Sequence, residues 1–313
     1  MKILVFGLGA LGTVYSCLLK EQGHQVSGLD RETILNKVRD RGVCVNGIWG
    51  EHAEILDELL ASVNEIDGKD YDLLILTVKS YETEEVARQI AKVISPHTYV
   101  LLAQNGYGNF EAAAQFIPAS KLILGRVIFG AETTELGMSK VTVIADDVVL
   151  GSPANLIDNQ ILESFARLFN EAGIPTRASD QVMKYVWGKI IYNSALNPLG
   201  AILEVPYGKL AENPHSRALM NRIIEEIFEV LAVIGQETLW PDASAYRQAF
   251  YEQMVPTTAL HHASMLQDIQ RGRKTEIDAL NGAVIKLGKS YGVNTPTNEF
   301  ITAILQAKEE TRG

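Results

Sequence analysis

The run KILVFGLGALG at 2–12 constrains the fold of this chain more than any other stretch. KILVF (2–6) reads as a short buried strand, and ALGTVYSCLLKEQG (10–23) as a helix that ends at Gly23. Between them Gly7, Gly9 and Gly12 match the spacing G-x-G-x-x-G. Gly7 suits a tight turn, Gly9 lets a pyrophosphate approach the backbone, and Gly12 lets helix pack on strand. The helix N-terminus adds N–H donors and a partial positive charge. Gly7, Leu8, Gly9, Ala10, Leu11 and Gly12 therefore form a candidate dinucleotide cradle. An ordinary strand-to-helix turn is the bland alternative. The required order of strand, glycines, helix and second strand (QVSGLD, 25–30) argues against it.

The rest of the first half continues the alternation. ETILNKVRDRG (32–42) reads as a helix closed by Gly42, with further helices near 82–94, 108–117 and 161–173. Segments 71–78, 98–104 and 121–129 read as strands, and 138–151 as an antiparallel hairpin. Near-continuous apolar strands between helices predict a parallel sheet covered on both faces. From about Ser179 the strand signal stops. Helical spacing runs through 211–235, 243–253, 258–271, 275–291 and 297–309. The expectation is an α/β Rossmann-type doubly wound domain over 1–176 and an all-α domain over 177–313.

Asp30 and Arg31 end the second strand. An acid there suits the ribose 2′-hydroxyl of NAD, and an arginine the 2′-phosphate of NADP. This chain carries both, so the residues favour NADP(H) and leave NAD(H) open through Asp30. Lys79, after LILTV, is a second cation for the phosphate side, unless it is a solvated loop lysine. Asn105-Gly106 follows another parallel strand at its carboxyl end, where ligands bind in such sheets. Asn105 is a candidate for the nicotinamide ribose or the substrate, against the plain alternative of an Asn-Gly turn.

VWGKIIYNSALNPLGAI (186–202) is apolar almost all round, which predicts a buried helix. Yet Lys189, Asn193 and Asn197 recur every four residues and form one polar stripe. A buried ammonium or amide is costly without partners. The stripe therefore needs either a polar seam between helices or a wet cleft. A desolvated lysine loses its proton more readily, which suits a general acid that protonates the alkoxide left by hydride transfer. Pro198 lacks the N–H for the Ser194 carbonyl and predicts a kink that opens backbone polar groups at the same place. Ser264, Asp268, Arg271, Thr275 and Glu276 gather further polar groups around Gly272. Glu276 is a candidate to anchor a hydroxyl or to pair with Lys189. Arg273, Lys274 and Asp278 read as a solvated helix end.

Composition bounds the rest. With 313 residues the chain is long enough for about two domains. A net charge of −10 argues against a nucleic-acid face. Cys17 and Cys44, the two cysteines, match no metal or redox spacing and fit a reducing, cytoplasmic setting. No stretch is long and apolar enough to predict a membrane span. His261-His262 are adjacent and wrongly spaced for a metal pair, so no metal site is expected.

GLGALG at 7–12, VKSYE at 78–82, QNG at 104–106, WGKIIYNSALNPLGAI at 187–202, SMLQDIQRGRKTEID at 264–278 and GVNTPTN at 292–298 together resemble the ketopantoate reductase family, nearly end to end. The resemblance implies an oxidoreductase with a Rossmann domain, a helical domain and an active site in the cleft between them. It implies reduction of the small 2-oxo acid ketopantoate to (R)-pantoate with NADPH, towards pantothenate and coenzyme A. It further implies Lys189 as general acid, and Asn193, Asn197 and Ser264 on the substrate. Glu276 would stand at the nicotinamide end, Asn105 in the cleft, Ala131 in a backbone contact to cofactor, and Arg31 at the 2′-phosphate with Lys79 near it. Asp30 departs from the family pattern and keeps open a relative acting on another 2-oxo or 2-hydroxy acid with NAD. A dinucleotide-binding sensor without catalysis is the reading from another class; it does not need the polar stripe. The long apolar helices after 211 leave open whether a second copy of the chain pairs there.

Overall fold

The computed structural model describes residues 1–66 and 68–312. Gly313, the last residue of the expected helical domain, lies outside the described residues, as does Asp67. The chain forms two compact units. One is made of Met1–Gln104 and Asn109–Val182, the other of Asn105–Gly108 and the chain from Met183 onward.

The first unit opens with β1 (Lys2–Phe6), α1 (Ala10–Glu21), β2 (Gln25–Leu29), α2 (Glu32–Arg41), β3 (Val43–Gly47), β4 (His52–Glu54), β5 (Glu58–Leu60) and β6 (Leu73–Leu76). It continues with α3 (Thr83–Ile90), β7 (Tyr99–Leu102), α4 (Asn109–Ala113), β8 (Leu122–Arg126), β9 (Phe129–Glu135), β10 (Met138–Ile144), β11 (Val148–Gly151), α5 (Asn159–Glu171) and β12 (Thr176–Ala178). Eight strands form a sheet in the order β12-β11-β8-β7-β6-β1-β2-β5. Neighbours pair in parallel except β8 with β11. The interior strands β6 and β8 are buried at every residue, as both-face coverage requires.

The strand order reverses at β1, with β2 on one side and β6 on the other. Ligands of doubly wound sheets bind beyond the carboxyl ends of the strands at such a reversal. Gly7 sits there at φ +98°, its N–H donating to the Leu29 carbonyl at 2.8 Å. A Cβ at Gly7 would lie 3.1 Å from Thr77 Oγ1, so the loop is pressed against the end of β6.

A second sheet of four strands, β4-β3-β10-β9, packs on α1. It corrects one expectation. The segment 138–151 is not a hairpin: β10 pairs with β9 and β3, while β11 leaves for the large sheet and pairs with β8 and β12. The hairpin is β9–β10, turning through Leu136 and Gly137, the latter at φ +78°. Segment 43–60, without a legible pattern, supplies β3, β4 and β5, two of them only three residues long.

The second unit holds α6 (Val182–Leu203), α7 (Tyr207–Glu212), α8 (Pro214–Ile234), α9 (Ala243–Ala249), α10 (Val255–Thr257), α11 (Ser264–Gln270), α12 (Asn281–Tyr291) and α13 (Pro296–Arg312). No strand occurs among the described residues from 183 on. Local chemistry sets the ends. Asn213 Oδ1 accepts the N–H groups of His215 and Ser216 at 2.9 and 3.2 Å, Pro214 starts α8, and Gly235 ends it in the left-handed region.

Two expected helices are shorter than their periodicity suggests, for one reason. Carbonyls that would carry the helix onward are taken by distant donors. Ala259 and His261 accept from the backbone N–H groups of Gly208 and Tyr207, so α11 starts only at Ser264. Ala279 accepts from Tyr107, so 275–280 contains a 3₁₀ turn and α12 starts at Asn281.

The helix read as apolar all round is α6, and it is enclosed. Gly188 is where Trp240 closes in, and Gly200 is where Ala263 does. At its end, Lys308 of α13 donates to the carbonyls of Ala201 and Ile202, which the last helical turn leaves without donors. Pro198 does not break it; Val182–Leu203 is one helix.

The third glycine of the loop is a packing requirement. A Cβ at Gly12 would lie 1.8 Å from the Gly7 carbonyl oxygen. Gly12→Ala is expected to lower Tm by more than about 5 °C in calorimetry, as a forced backbone shift at a sheet centre should.

Candidate active site

The first unit supplies a cradle for a dinucleotide. Gly9 caps α1 without any side-chain hydrogen bond, and the first turn of α1 carries no acid. Its leading N–H groups, at the positive end of the helix, suit a phosphate. Unlike Gly7 and Gly12, Gly9 has no packing reason to lack a side chain: a Cβ there meets no protein atom within 4 Å. Open space above a bare backbone is what a pyrophosphate needs, so these residues fit the group.

Asp30 and Arg31, at the end of β2, are divided in role. Asp30 Oδ2 accepts the N–H of Leu8 at 2.6 Å, and Oδ1 accepts the N–H of Arg31 at 2.7 Å. The Asp30 side chain is only 11% exposed, while that of Arg31 is 80% exposed. The acid ties the glycine loop to β2, and the arginine caps α2 from a solvated position. Lys79 follows β6 at the same carboxyl edge, half-buried, its N–H donating to Glu82 at 3.3 Å. Ala131 lies on β9 of the second sheet opposite Val141, half-buried.

The second unit gathers the other candidates around α6. Lys189 Nζ donates to Asn105 Oδ1 at 2.6 Å, and Asn105 Nδ2 donates to Glu276 Oε2 at 3.3 Å. The carboxylate, an acceptor, fixes which way the Asn105 amide faces and so turns its oxygen to the ammonium. The Asn-Gly pair is more than a turn. Gly106 has φ +91°, and a Cβ there would lie 2.5 Å from the Ala279 carbonyl oxygen. Tyr107 N–H donates to that same oxygen at 2.8 Å, and its ring packs 5.1 Å from that of Trp187, two residues before Lys189. Residues 105–108 are thus clamped between α6 and the 3₁₀ turn that follows Glu276.

Asn193 and Asn197 continue the face beyond Lys189, both buried. Asn197 Oδ1 accepts from the hydroxyl of Tyr207. Burial, and next the neighbouring Tyr192, hold the Tyr207 hydroxyl well above its ordinary pKa, so it stays a donor. With its oxygen engaged, what Asn197 has left to offer is its N–H₂ group, a donor. Ser264, exposed, starts α11 directly after Ala263, the residue packed on Gly200 near the Asn197 end of the stripe. The structure therefore brings Lys189, Asn105, Glu276, Asn193, Asn197 and Ser264 around one helix.

Tyr207 escaped the sequence reading, because one tyrosine after a proline carries no signal. The Asn105–Lys189 pairing escaped it as well, with 84 residues between the partners. No group of histidine, cysteine, aspartate or glutamate side chains suited to a metal ion occurs among the described residues. Among the described residues, no helix is long and apolar enough to cross a membrane.

The sequence matches known proteins along its whole length. The profile of ketopantoate reductase PanE/ApbA covers residues 3–155, and that of its C-terminal domain covers 181–309. The chain belongs to the ketopantoate reductase family. A 2-dehydropantoate 2-reductase of Aquifex aeolicus (strain VF5) is 48% identical over 99% of this chain and 97% of its own. Among solved structures, the ternary complex of D-mandelate dehydrogenase with NADH and anilino(oxo)acetate is similar at a TM-score of 0.90. It shares 28% identity and covers 100% of this chain and 99% of that one. A PanE/ApbA family ketopantoate reductase from Ralstonia eutropha JMP134 is similar at 0.86 and 26% identity, with coverage of 100% and 99%.

The open space over Gly9 yields a test. Gly9→Ala is expected to weaken dinucleotide binding by at least about tenfold, or about 1.4 kcal/mol. Its Tm should stay within about 2 °C of the wild type, since the new methyl touches no protein atom. Titration of intrinsic fluorescence, with a thermal melt beside it, checks both.

Proposed function

We propose that this protein is a 2-dehydropantoate 2-reductase, a cytoplasmic enzyme that reduces ketopantoate to (R)-pantoate with NADPH. The carrying observation is the bond from Lys189 to an asparagine that is itself held by Glu276. A sensor that only bound dinucleotide would have no use for an oriented ammonium in an apolar helix. The 48% identity to a named 2-dehydropantoate 2-reductase supports the choice of substrate.

Bound NADPH supplies the hydride that the ketone carbon receives. Lys189 donates a proton to the ketone oxygen as charge develops there, so ketone, hydride and proton become the alcohol. Asn105 orients the ammonium without discharging it, because an amide oxygen accepts a hydrogen bond but stays neutral at ordinary pH. Asn193, Asn197 and Ser264 hold the hydroxyl and carboxylate of the substrate. Donors from Asn197 can bond a carboxylate without adding net charge to a buried helix.

For the cofactor, Gly7 to Gly12 receive the pyrophosphate and Arg31 the 2′-phosphate, with Lys79 beside it. The division between Asp30 and Arg31 supports this choice. Both carboxylate oxygens already accept backbone N–H groups, whereas the guanidinium, with Nε 3.8 Å from Asp30 Oδ1, is exposed. A second reading keeps the chemistry and changes the partners: an NAD-using reductase of another 2-oxo acid. It is favoured by the acid at the end of β2 and by the likeness to D-mandelate dehydrogenase with NADH.

Initial rates with ketopantoate and either NADPH or NADH separate the two readings. Turnover with NADPH at kcat/KM above about 10⁴ M⁻¹s⁻¹ is the expected result. Arg31→Ala should then raise KM for NADPH while leaving the weaker NADH reaction unchanged. Turnover with NADH alone, or only with a bulkier 2-oxo acid, would put the second reading first. Lys189→Ala should retain cofactor binding and lose about 10²- to 10⁴-fold in kcat, the usual worth of a positioned proton donor.

A further inference from the structure

Pro198 lies inside α6, one residue after Asn197. Proline has no N–H, so the carbonyl of Ser194 has no donor four residues on. Ser194 is completely buried, which keeps water from filling the vacancy. The donor comes from another helix. Asn281, at the start of α12 and itself completely buried, directs Nδ2 at the Ser194 carbonyl at 3.1 Å.

The direction of that bond is set from farther away. Glu226 of α8, 7% exposed, accepts the N–H groups of Thr297 and Asn298 at 2.8 and 3.0 Å and so caps α13. It also accepts Asn298 Nδ2 at 2.7 Å. The Asn298 oxygen is thereby turned the other way, and it accepts Asn281 Nδ2 at 2.9 Å. With Asn281 facing two acceptors, its amide cannot flip without setting oxygen against oxygen. An acidic group on α8 thus dictates that a donor, not an acceptor, reaches the gap in α6. The other end of α13 holds α6 as well, through Lys308 on the carbonyls of Ala201 and Ile202.

We propose that Asn281 is a positioning residue for the reduction. Its amide replaces the N–H that Pro198 lacks, and this bond keeps Asn193 and Asn197 in register with Lys189. The proposal rests on the reductase reading for what those asparagines hold. It separates from a simple packing role because it names one missing atom. If the function of Asn281 is to supply a donor to Ser194, restoring a backbone N–H at position 198 makes Asn281 dispensable.

The test is a double-mutant cycle on Pro198→Ala and Asn281→Ala, read by KM and kcat with ketopantoate and NADPH, by NADPH affinity, and by amide exchange over 190–203. Asn281→Ala is expected to raise KM for ketopantoate at least about tenfold with NADPH affinity within about twofold, and to speed exchange at 199–203. Adding Pro198→Ala should return KM to within about threefold of the wild type and restore protection. A double variant as impaired as Asn281→Ala overturns the proposal, and so does a single variant whose KM and exchange stay at wild-type values. If Asn281→Ala does not fold, a folded and active double variant supports the proposal and an unfolded one overturns it. A wild-type protein that does not reduce ketopantoate sinks the reductase reading alone, because the coupling of 198 to 281 is still read in the exchange.

Discussion

An ammonium on a helix that is mostly apolar must be given an acceptor, and much of the second unit is arranged around that requirement. The acceptor of Lys189 is Asn105, whose amide would present either end were it not for Glu276 on its other side. Asn105 in turn is held because Gly106 adopts a conformation that few other residues take and lies against the carbonyl of Ala279. That carbonyl accepts Tyr107, which ends the helical path of 275–280 and sets where α12 begins. The polar contact and the shape of the helical unit are one arrangement. Replacing the lysine by an apolar residue would relax each of these demands at once, which is the usual mark of a group kept for its chemistry.

The first unit shows a residue type in a role other than its habitual one. An acid at the end of β2 reads as a ribose ligand, and Asp30 also accepts the backbone N–H of Leu8 in the glycine loop and of its own neighbour Arg31. A part-buried carboxylate that accepts two N–H donors is held in place and keeps lone pairs for a ligand hydroxyl. The loop gains a strap, and Arg31 is left to the solvent side.

Much of the large sheet is legible because its signals are local. KILVF, the glycines and QVSGLD name their own places, and β1, α1, β2 and α2 follow within two residues. The second sheet is illegible for the opposite reason. The strand β3 is short and pairs with β10 far along the chain, Cys44 opposite Met138, and nothing in VCVNG announces that partner. The polar stripe of α6 is readable as a contradiction, three polar residues in an oily helix. Its resolution lies in Asn105, Tyr207 and Asn281, which reach it from other segments. Pro198 shows the limit well: the missing N–H is visible in the sequence, but the side chain that supplies a donor, Asn281, is not.

Residues 105–108 follow β7 of the sheet but are packed as part of the helical unit. The two units are therefore not two consecutive stretches of the chain. A fragment beginning at Met183 would carry every helix from α7 on and most of α6, yet its lysine would face a hole where an amide from the other exon-sized half belongs. A recombination that swapped either half for that of a distant relative would have to bring a matching four-residue graft with it.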